Sequence, residues 1–332
     1  MKKNIKTEVY PHANTVVAME DGKLLKRFEY EILYNADSLQ RTLDKLNETN
    51  YFKTYAEAGE ENYGDLLDGL MKRTFALMQE IAPKPLVWKI FALYYDIHNI
   101  KLAAKERAFN KRLDEFFLDY GSYTFPTIRS ATVREPDNIL NDVILTKGLF
   151  EALRSKEIRD IDFILDKTYL KTLKKYGENL AVSHIKTFIG ERIDLYNVSA
   201  YFQSYAAGHP DGYFEKTFSD DGSYPISEWN KYLSAGNREE TMRFPLWQKY
   251  KPVWRNAESR QALLSEMDVL IDNYLIEKTK ACKLMPFGIE PICAYFYNKL
   301  MEIKNIRIML TGKENGYSTG EIVARMRIPY EL

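Results

Sequence analysis

The 332-residue chain has two cysteines, four histidines and no net charge. The thiols, Cys282 and Cys293, are too few for a disulfide framework or a cysteine zinc site, so both are expected as buried thiols in a reducing cytoplasm. The 47 Lys and Arg residues balance 47 Asp and Glu. A primary nucleic-acid binder would carry a basic excess to displace counterions, and a protein held to anionic lipid would carry a polybasic patch. Neither is expected here. No run reaches the roughly 18 apolar residues of a spanning helix, because the best candidate, Leu284 to Ile303, contains Pro286, Glu290, Pro291, Lys299 and Glu302. The opening Met1-Lys2-Lys3-Asn4-Ile5-Lys6 has no apolar core behind its charges and does not read as a signal peptide. A soluble, cytoplasmic chain is expected, in which the Asn-x-Ser/Thr matches at Asn47 and Asn197 carry no glycan.

Motifs of catalysis are equally scarce. His12, His98, His184 and His209 lie far apart, with no His-Glu-x-x-His arrangement among them. Gly312-Lys313 lacks the upstream glycine and following hydroxyl of a phosphate loop, and no Gly-x-Ser-x-Gly elbow occurs. No catalytic residue, cofactor or metal site is expected. The charge run Lys101–Arg112 reads as a solvated helix face.

What the chain does have is tyrosine, 24 against 17 Phe and 4 Trp, which suits half-buried helix seams and interfaces. It also has helical periodicity. Leu66, Leu67, Leu70, Met71, Phe75, Leu77, Met78 and Ile81 recur at threes and fours and stop at Pro83 and Pro85. A second helix after Pro85 carries Val87, Ile90, Phe91, Tyr94 and Ile97 on one face. Later pairs are predicted at about Ile161–Tyr176, with a break at Gly177, then Leu180–Ala207, and at Leu263–Leu284, then Glu290–Leu310. Looser stretches are expected over Tyr120–Pro126 and Gly208–Pro225, and Trp229–Trp254 shows no clean period. Ser318-Thr319-Gly320-Glu321 matches a capping box for a last short helix.

One five-residue pattern recurs three times: an acid, Ile or Leu, any residue, Asn, then Ile or Val. It reads Asp96-Ile97-His98-Asn99-Ile100, Asp194-Leu195-Tyr196-Asn197-Val198 and Glu302-Ile303-Lys304-Asn305-Ile306, with the asparagines 98 and 108 residues apart. A near-constant period marks a repeated architecture, so three helical repeats are expected, over residues 1–120, 121–225 and 226–332. The first helix of each pair shares a weaker mark: Asp68 with Phe75, Asp162 with Tyr169, Asp268 with Tyr274.

On a helix the acid and the Asn share a face, with Ala92, Gly190 and Asn298 four residues before the acids, small or polar enough for close approach. Asn is a poor residue inside a helix. Its presence in all three copies suggests that each amide satisfies buried backbone at a junction between helices. One carboxylate and one amide are too few ligands for a tight calcium or magnesium site. Asp96, Asn99, Asp194, Asn197, Glu302 and Asn305 are therefore expected to be a structural motif. A metal-dependent hydrolase built on these pairs is the enzymatic alternative.

The copies, and above all the C-terminal Pro291-Ile292-Cys293-Ala294-Tyr295 leading into Glu302–Lys313 and Gly320–Arg327, resemble the C-type subunit of V-type and archaeal-type ATPases, the counterpart of the eukaryotic d-type subunit. Tyr95–Lys101 and Arg192–Val198 are similar to the matching segments of that family's first two repeats. The resemblance runs from about Tyr51 and is weakest over Tyr213–Pro252. It implies an all-α fold of three similar domains around a pseudo-threefold axis, forming a funnel with a central cavity. It also implies a non-catalytic adaptor, a monomer within its complex, peripheral to the membrane on the cytoplasmic side. Its partners would be the membrane rotor ring and the central shaft, and its task the coupling of ATP hydrolysis or synthesis to H⁺ or Na⁺ movement. An exposed apolar patch at the narrow end and a more polar cavity wall are expected with it. A free-standing α-helical scaffold is the rival reading.

Overall fold

The computed structural model describes residues 10–49, 63–133, 140–155, 157–206, 210–233, 249–250 and 260–331. The expectations for residues 1–9, for Tyr51, for His209 and for most of Trp229–Trp254 lie outside them. Among the described residues the chain is all-helical. It falls into two compact units, Met1–Val87 with Glu266–Leu332, and Trp88–Ser265.

The first unit holds α1 (Pro11–Asp21), α2 (Arg27–Tyr34), α3 (Leu39–Glu48) and α4 (Tyr63–Ile81) from the start of the chain. From its end come most of α12 (Arg260–Lys280), α13 (Ile289–Glu314) and α14 (Thr319–Arg325), the last three numbered in sequence after the helices of the second unit. Helix α13 is the hub, packing on α1, α3, α4 and α14. Ile292, Ala294, Phe296, Tyr297, Ile303 and Met309 are buried around its circumference, as expected of a helix enclosed on all sides. Against it α4 lays the predicted stripe, with Leu67, Leu70 and Met78 fully buried. Short flanking helices are set by their caps. The Ser38 hydroxyl accepts from Arg41 N–H at 3.2 Å to start α3, and Ser318 and Glu321 close the expected capping box on α14.

The second unit holds most of α5 (Pro85–Phe109), with α6 (Phe125–Val133), α7 (Val143–Arg154), α8 (Ile158–Leu180), α9 (Ser183–Ala206), α10 (Pro210–Thr217) and α11 (Ile226–Leu233). Pro85 opens α5 at no cost, because a first-turn N–H has no intrahelical partner. Asp142 caps α7 by accepting from the Ile144 and Leu145 N–H groups at 2.9 and 3.0 Å. Helix α8 packs on α7, α9 and α10.

Three expectations change. Helix α8 does not break at Gly177 but runs on to Leu180, and the chain turns at Ala181, which is left-handed with φ 60°. Gly177 faces α9, where an added Cβ would lie 2.5 Å from the tip of the Ile189 side chain. The stretch after Gly208 is not all loose, since Pro210 starts α10. It brings Phe214 and Phe218 into a buried cluster with Tyr201 and Trp229, at ring separations of 5.3 to 6.4 Å. Lastly, Lys101–Arg112 is not simply solvated. Lys101 and Lys105 reach α8 at Asp166 (2.6 Å) and Asp162 (2.7 Å). Glu106 is buried under Arg129 of α6 at 2.5 Å, which holds the carboxyl below the usual carboxylate range.

Helices α7 and α8 approach through Gly148, where an added Cβ would lie 2.8 Å from the Cβ of Thr168. No rotamer change relieves a clash between two Cβ atoms. Gly148→Ala is expected to destabilise the protein by about 1–3 kcal/mol through overpacking, measured by thermal or urea unfolding. A variant as stable as the wild type would show that the α7–α8 seam is looser than this.

Candidate functional site

The three copies of the acid–x–x–Asn pattern lie on α5, α9 and α13, with every acid and every Asn at most 5% exposed. Each asparagine makes the same pair of bonds to one residue of the chain returning from its own helix. Asn99 Nδ2 donates to the carbonyl of Leu118 at 2.7 Å, and the Leu118 N–H donates back to Asn99 Oδ1 at 3.0 Å. Asn197 does so with Ser219, both at 2.9 Å. Asn305 does so with Arg327, at 2.9 and 2.7 Å. One carboxamide thus satisfies both polar groups of one peptide residue, which a helix-to-loop transition would otherwise leave buried and unpaired.

The acids, one turn earlier, hold the entry to a further helix. Asp96 Oδ1 accepts from the N–H groups of Ser122 (2.6 Å) and Tyr123 (3.3 Å), just before α6. Asp194 accepts from the Ser223 N–H and hydroxyl, each at 2.7 Å, just before α11. Glu302 Oε2 accepts from the Leu25 N–H at 2.5 Å, just before α2. The acid of the last copy is therefore met by the beginning of the chain. Close approach at the first two requires glycine. A Cβ on Gly121 would overlap the Asp96 carboxylate, and one on Gly222 would stand 2.9 Å from Asp194 Oδ1 and 3.1 Å from Asn197 Nδ2.

Charge around the carboxylates differs between copies. Asp194 has the Tyr250 hydroxyl at 3.0 Å and the Lys249 ammonium at 3.7 Å. Glu302 has Lys299 at 3.1 Å, a buried ammonium whose pKa burial pushes down. Asp96 relies on backbone and on Ser122; burial outweighs these bonds and lifts its pKa to about 6. The residues four before the acids also diverge. Ala92 and Asn298 are buried, whereas a Cβ on Gly190 would meet nothing within 4 Å, so close approach is not what glycine serves there.

The three pairs lie on separate helices, and the described residues hold no group of three or more His, Cys, Asp or Glu side chains that could bind a metal ion. His98 meets the Phe116 carbonyl at 3.0 Å through its Nε2. Cys282 and Cys293 are buried, unbonded thiols. No helix among the described residues is long and apolar enough to cross a membrane. Sequence reasoning singled out the three pairs but missed their receivers: Leu118, Ser219, Arg327, Ser122, Ser223 and Leu25. A signal for two of them was present, the Gly-Ser-Tyr triplets at 121–123 and 222–224. Nothing local marks Leu25 as a partner of Glu302.

The arrangement is one of structure shared along nearly the whole chain, and the similarity to known proteins has the same extent. A model of the ATP synthase (C/AC39) subunit family matches residues 13–325. The chain belongs to this family. Among its relatives is the C-type subunit of the V-type sodium ATPase of Enterococcus hirae, 23% identical over 329 residues, spanning 97% of this chain and 99% of that protein. The C-type subunit of the A-type ATP synthase of Methanocaldococcus jannaschii is 23% identical over 340 residues, 94% and 85% of the two chains. That of Methanococcoides burtonii is 25% identical over 338 residues, 94% and 87%. This C/AC39 chain is thus similar end to end to subunits of a V-type ATPase and of A-type ATP synthases.

Alanine at an asparagine strands a buried N–H and a buried carbonyl. Asn197→Ala and Asn305→Ala are expected to cost roughly 2–5 kcal/mol, and Asn99→Ala less, because its bonds to Leu118 are part-exposed. Urea unfolding of the three variants checks this; equal stability to wild type at Asn197 and Asn305 would refute it.

Asp96 gives a pH signature. A carboxyl whose pKa rises on folding contributes stability below its unfolded value, near 3.8, and loses it as pH passes about 6. Asp96→Asn keeps the shape and removes the charge. Its stability relative to wild type is expected to improve on going from pH 4 to pH 7, by about 2–3 kcal/mol. Denaturation midpoints across that range measure it, and a pH-independent difference would contradict the burial argument.

Proposed function

We propose that this C/AC39 family chain is a non-catalytic adaptor in the central rotor of a V-type or A-type ATPase. It joins the central shaft to the membrane rotor ring and so couples ATP hydrolysis or synthesis to H⁺ or Na⁺ transport. The observation that carries this reading is the family match over residues 13–325, supported by relatives named as C-type subunits of an ATPase and of ATP synthases along almost their whole length.

The adaptor consists of three repeats, over residues 1–120, 121–225 and 226–332, set around a pseudo-threefold axis as a funnel with a central cavity. The equivalent joints at Asn99, Asn197 and Asn305 support the repeat. The six motif residues have a structural role, which the satisfied amides support. The chain acts as a monomer on the cytoplasmic face, held by protein contacts with the ring, since its balanced charge offers no electrostatic hold on lipid. It has no active site of its own and uses no metal or cofactor; the acid–Asn pairs spend most of their hydrogen bonds on backbone.

Affinity purification of the tagged full-length chain from membranes of its own cells is expected to retain the shaft and ring subunits of one ATPase. Purification as a free monomer under conditions that keep that ATPase assembled would favour the scaffold reading instead.

A further inference from the structure

The residue four before the acid differs between the copies, and in the third it adds a buried polar group. Ala92 and Gly190 hold this place in the first two copies, whereas α13 carries Asn298, which is 3% exposed. Asn298 Nδ2 donates to the Thr279 hydroxyl at 2.8 Å and to the Ala294 carbonyl at 2.7 Å. Its Oδ1 is buried and has no hydrogen-bond partner in the protein. An acceptor left in that state costs about 1–3 kcal/mol.

A small cavity lies beside it. Asn298, Glu302 and Asn305 line it from α13, Leu25 and Tyr30 from the N-terminal segment, and Tyr330 from near the end of the chain. Its volume is about 10 Å³, room for one water molecule and not for two. Asn298 and Glu302 stand one turn apart on the same face of α13. Both offer oxygen acceptors, which cannot bond to each other. A water molecule, with two O–H donors, is the smallest neutral group that joins them. A cation would suit the same oxygens but would crowd the buried Lys299 ammonium, already 3.1 Å from Glu302.

The first two copies show which group is being replaced. There the acid takes a hydroxyl as well as an N–H from its partner segment. Ser122 supplies it to Asp96, and Ser223 Oγ donates to Asp194 at 2.7 Å. Glu302 meets Leu25 instead, which has an N–H to give and no hydroxyl.

We propose that Asn298 and Glu302 bind one internal water molecule, which donates to Asn298 Oδ1 and to the Glu302 carboxylate in place of the serine hydroxyl. The site is particular to the third joint, since Ala92 and Gly190 bring no side-chain acceptor. It goes beyond the adaptor reading and does not depend on it.

Magnetic relaxation dispersion of the water oxygen nucleus counts the long-lived internal waters of the full-length protein in solution. Asn298→Leu, similar in size but without the acceptor, is expected to hold one fewer than the wild type. An equal count overturns the proposal. Stability alone would not discriminate, because the variant also loses the bonds to Thr279 and Ala294. Where that variant fails to fold, a crystal structure of the wild type decides. A single density peak is expected at about 2.6–3.2 Å from both Asn298 Oδ1 and a Glu302 carboxylate oxygen. A dry cavity, or Asn298 Oδ1 bonded to a protein donor, overturns the proposal as well.

Discussion

A buried carboxamide that closes both hydrogen bonds of one returning residue is the interaction on which this fold turns. Among the described residues, which are all helical, no sheet ladder exists to satisfy the backbone just past the short helical turns that end at Phe116, Thr217 and Arg325. Asn99, Asn197 and Asn305 supply that ladder in miniature: the exchange of N–H and carbonyl with Leu118, Ser219 and Arg327 is what one residue of a neighbouring strand would provide. The helix propensity lost by placing Asn mid-helix is a fraction of a kcal/mol. Two stranded backbone groups would cost several times that, so the amide wins.

Geometry is kept across the copies while electrostatics is not. All three acids end a backbone N–H that leads into a helix, yet Asp194 has a lysine and a tyrosine hydroxyl, Glu302 has a buried lysine, and Asp96 has backbone and Ser122. A joint demands only an acceptor at the right place. The variation in counter-charge against constant backbone partners is what a joint predicts.

The helices and the acid–Asn pairs were legible in the sequence because both are local patterns. Leu66 to Ile81 repeats at threes and fours, and Asp96 to Asn99 lies within one turn. What failed to read were contacts between distant residues. Gly177 looks like a breaker because glycine is a poor helix former, but it lies inside α8 and packs on Ile189 of the next helix. Lys101 and Lys105 look solvated because their partners, Asp166 and Asp162, are some sixty positions away. Phe214 and Phe218 sit in a stretch dense in Gly and Pro, and the aromatic cluster that makes α10 a helix needs Tyr201 and Trp229 from outside it. The receivers of the clamps were half visible. Gly121-Ser122 and Gly222-Ser223 share a triplet, whereas Leu25 shares nothing with them and had no reason to be paired with Glu302.

The position of the joints bears on what an adaptor has to do. A rotor part transmits torque only to the extent that its segments resist shearing, and packed interiors resist while exposed turns do not. The segments that return along a long helix after it ends are the ones most free to shift. Each clamp ties the middle of a buried helix to such a returning segment, 19 or 22 residues further on. Each acid then ties the same helix to the start of another, so displacement of one helix has to break charge-assisted bonds in a medium where water cannot replace them. On the rotary reading, stiffness is located at three equivalent points instead of being spread over loops. The motif, expected from the sequence to be structural, is on that reading a set of three fixed points in a mechanical part.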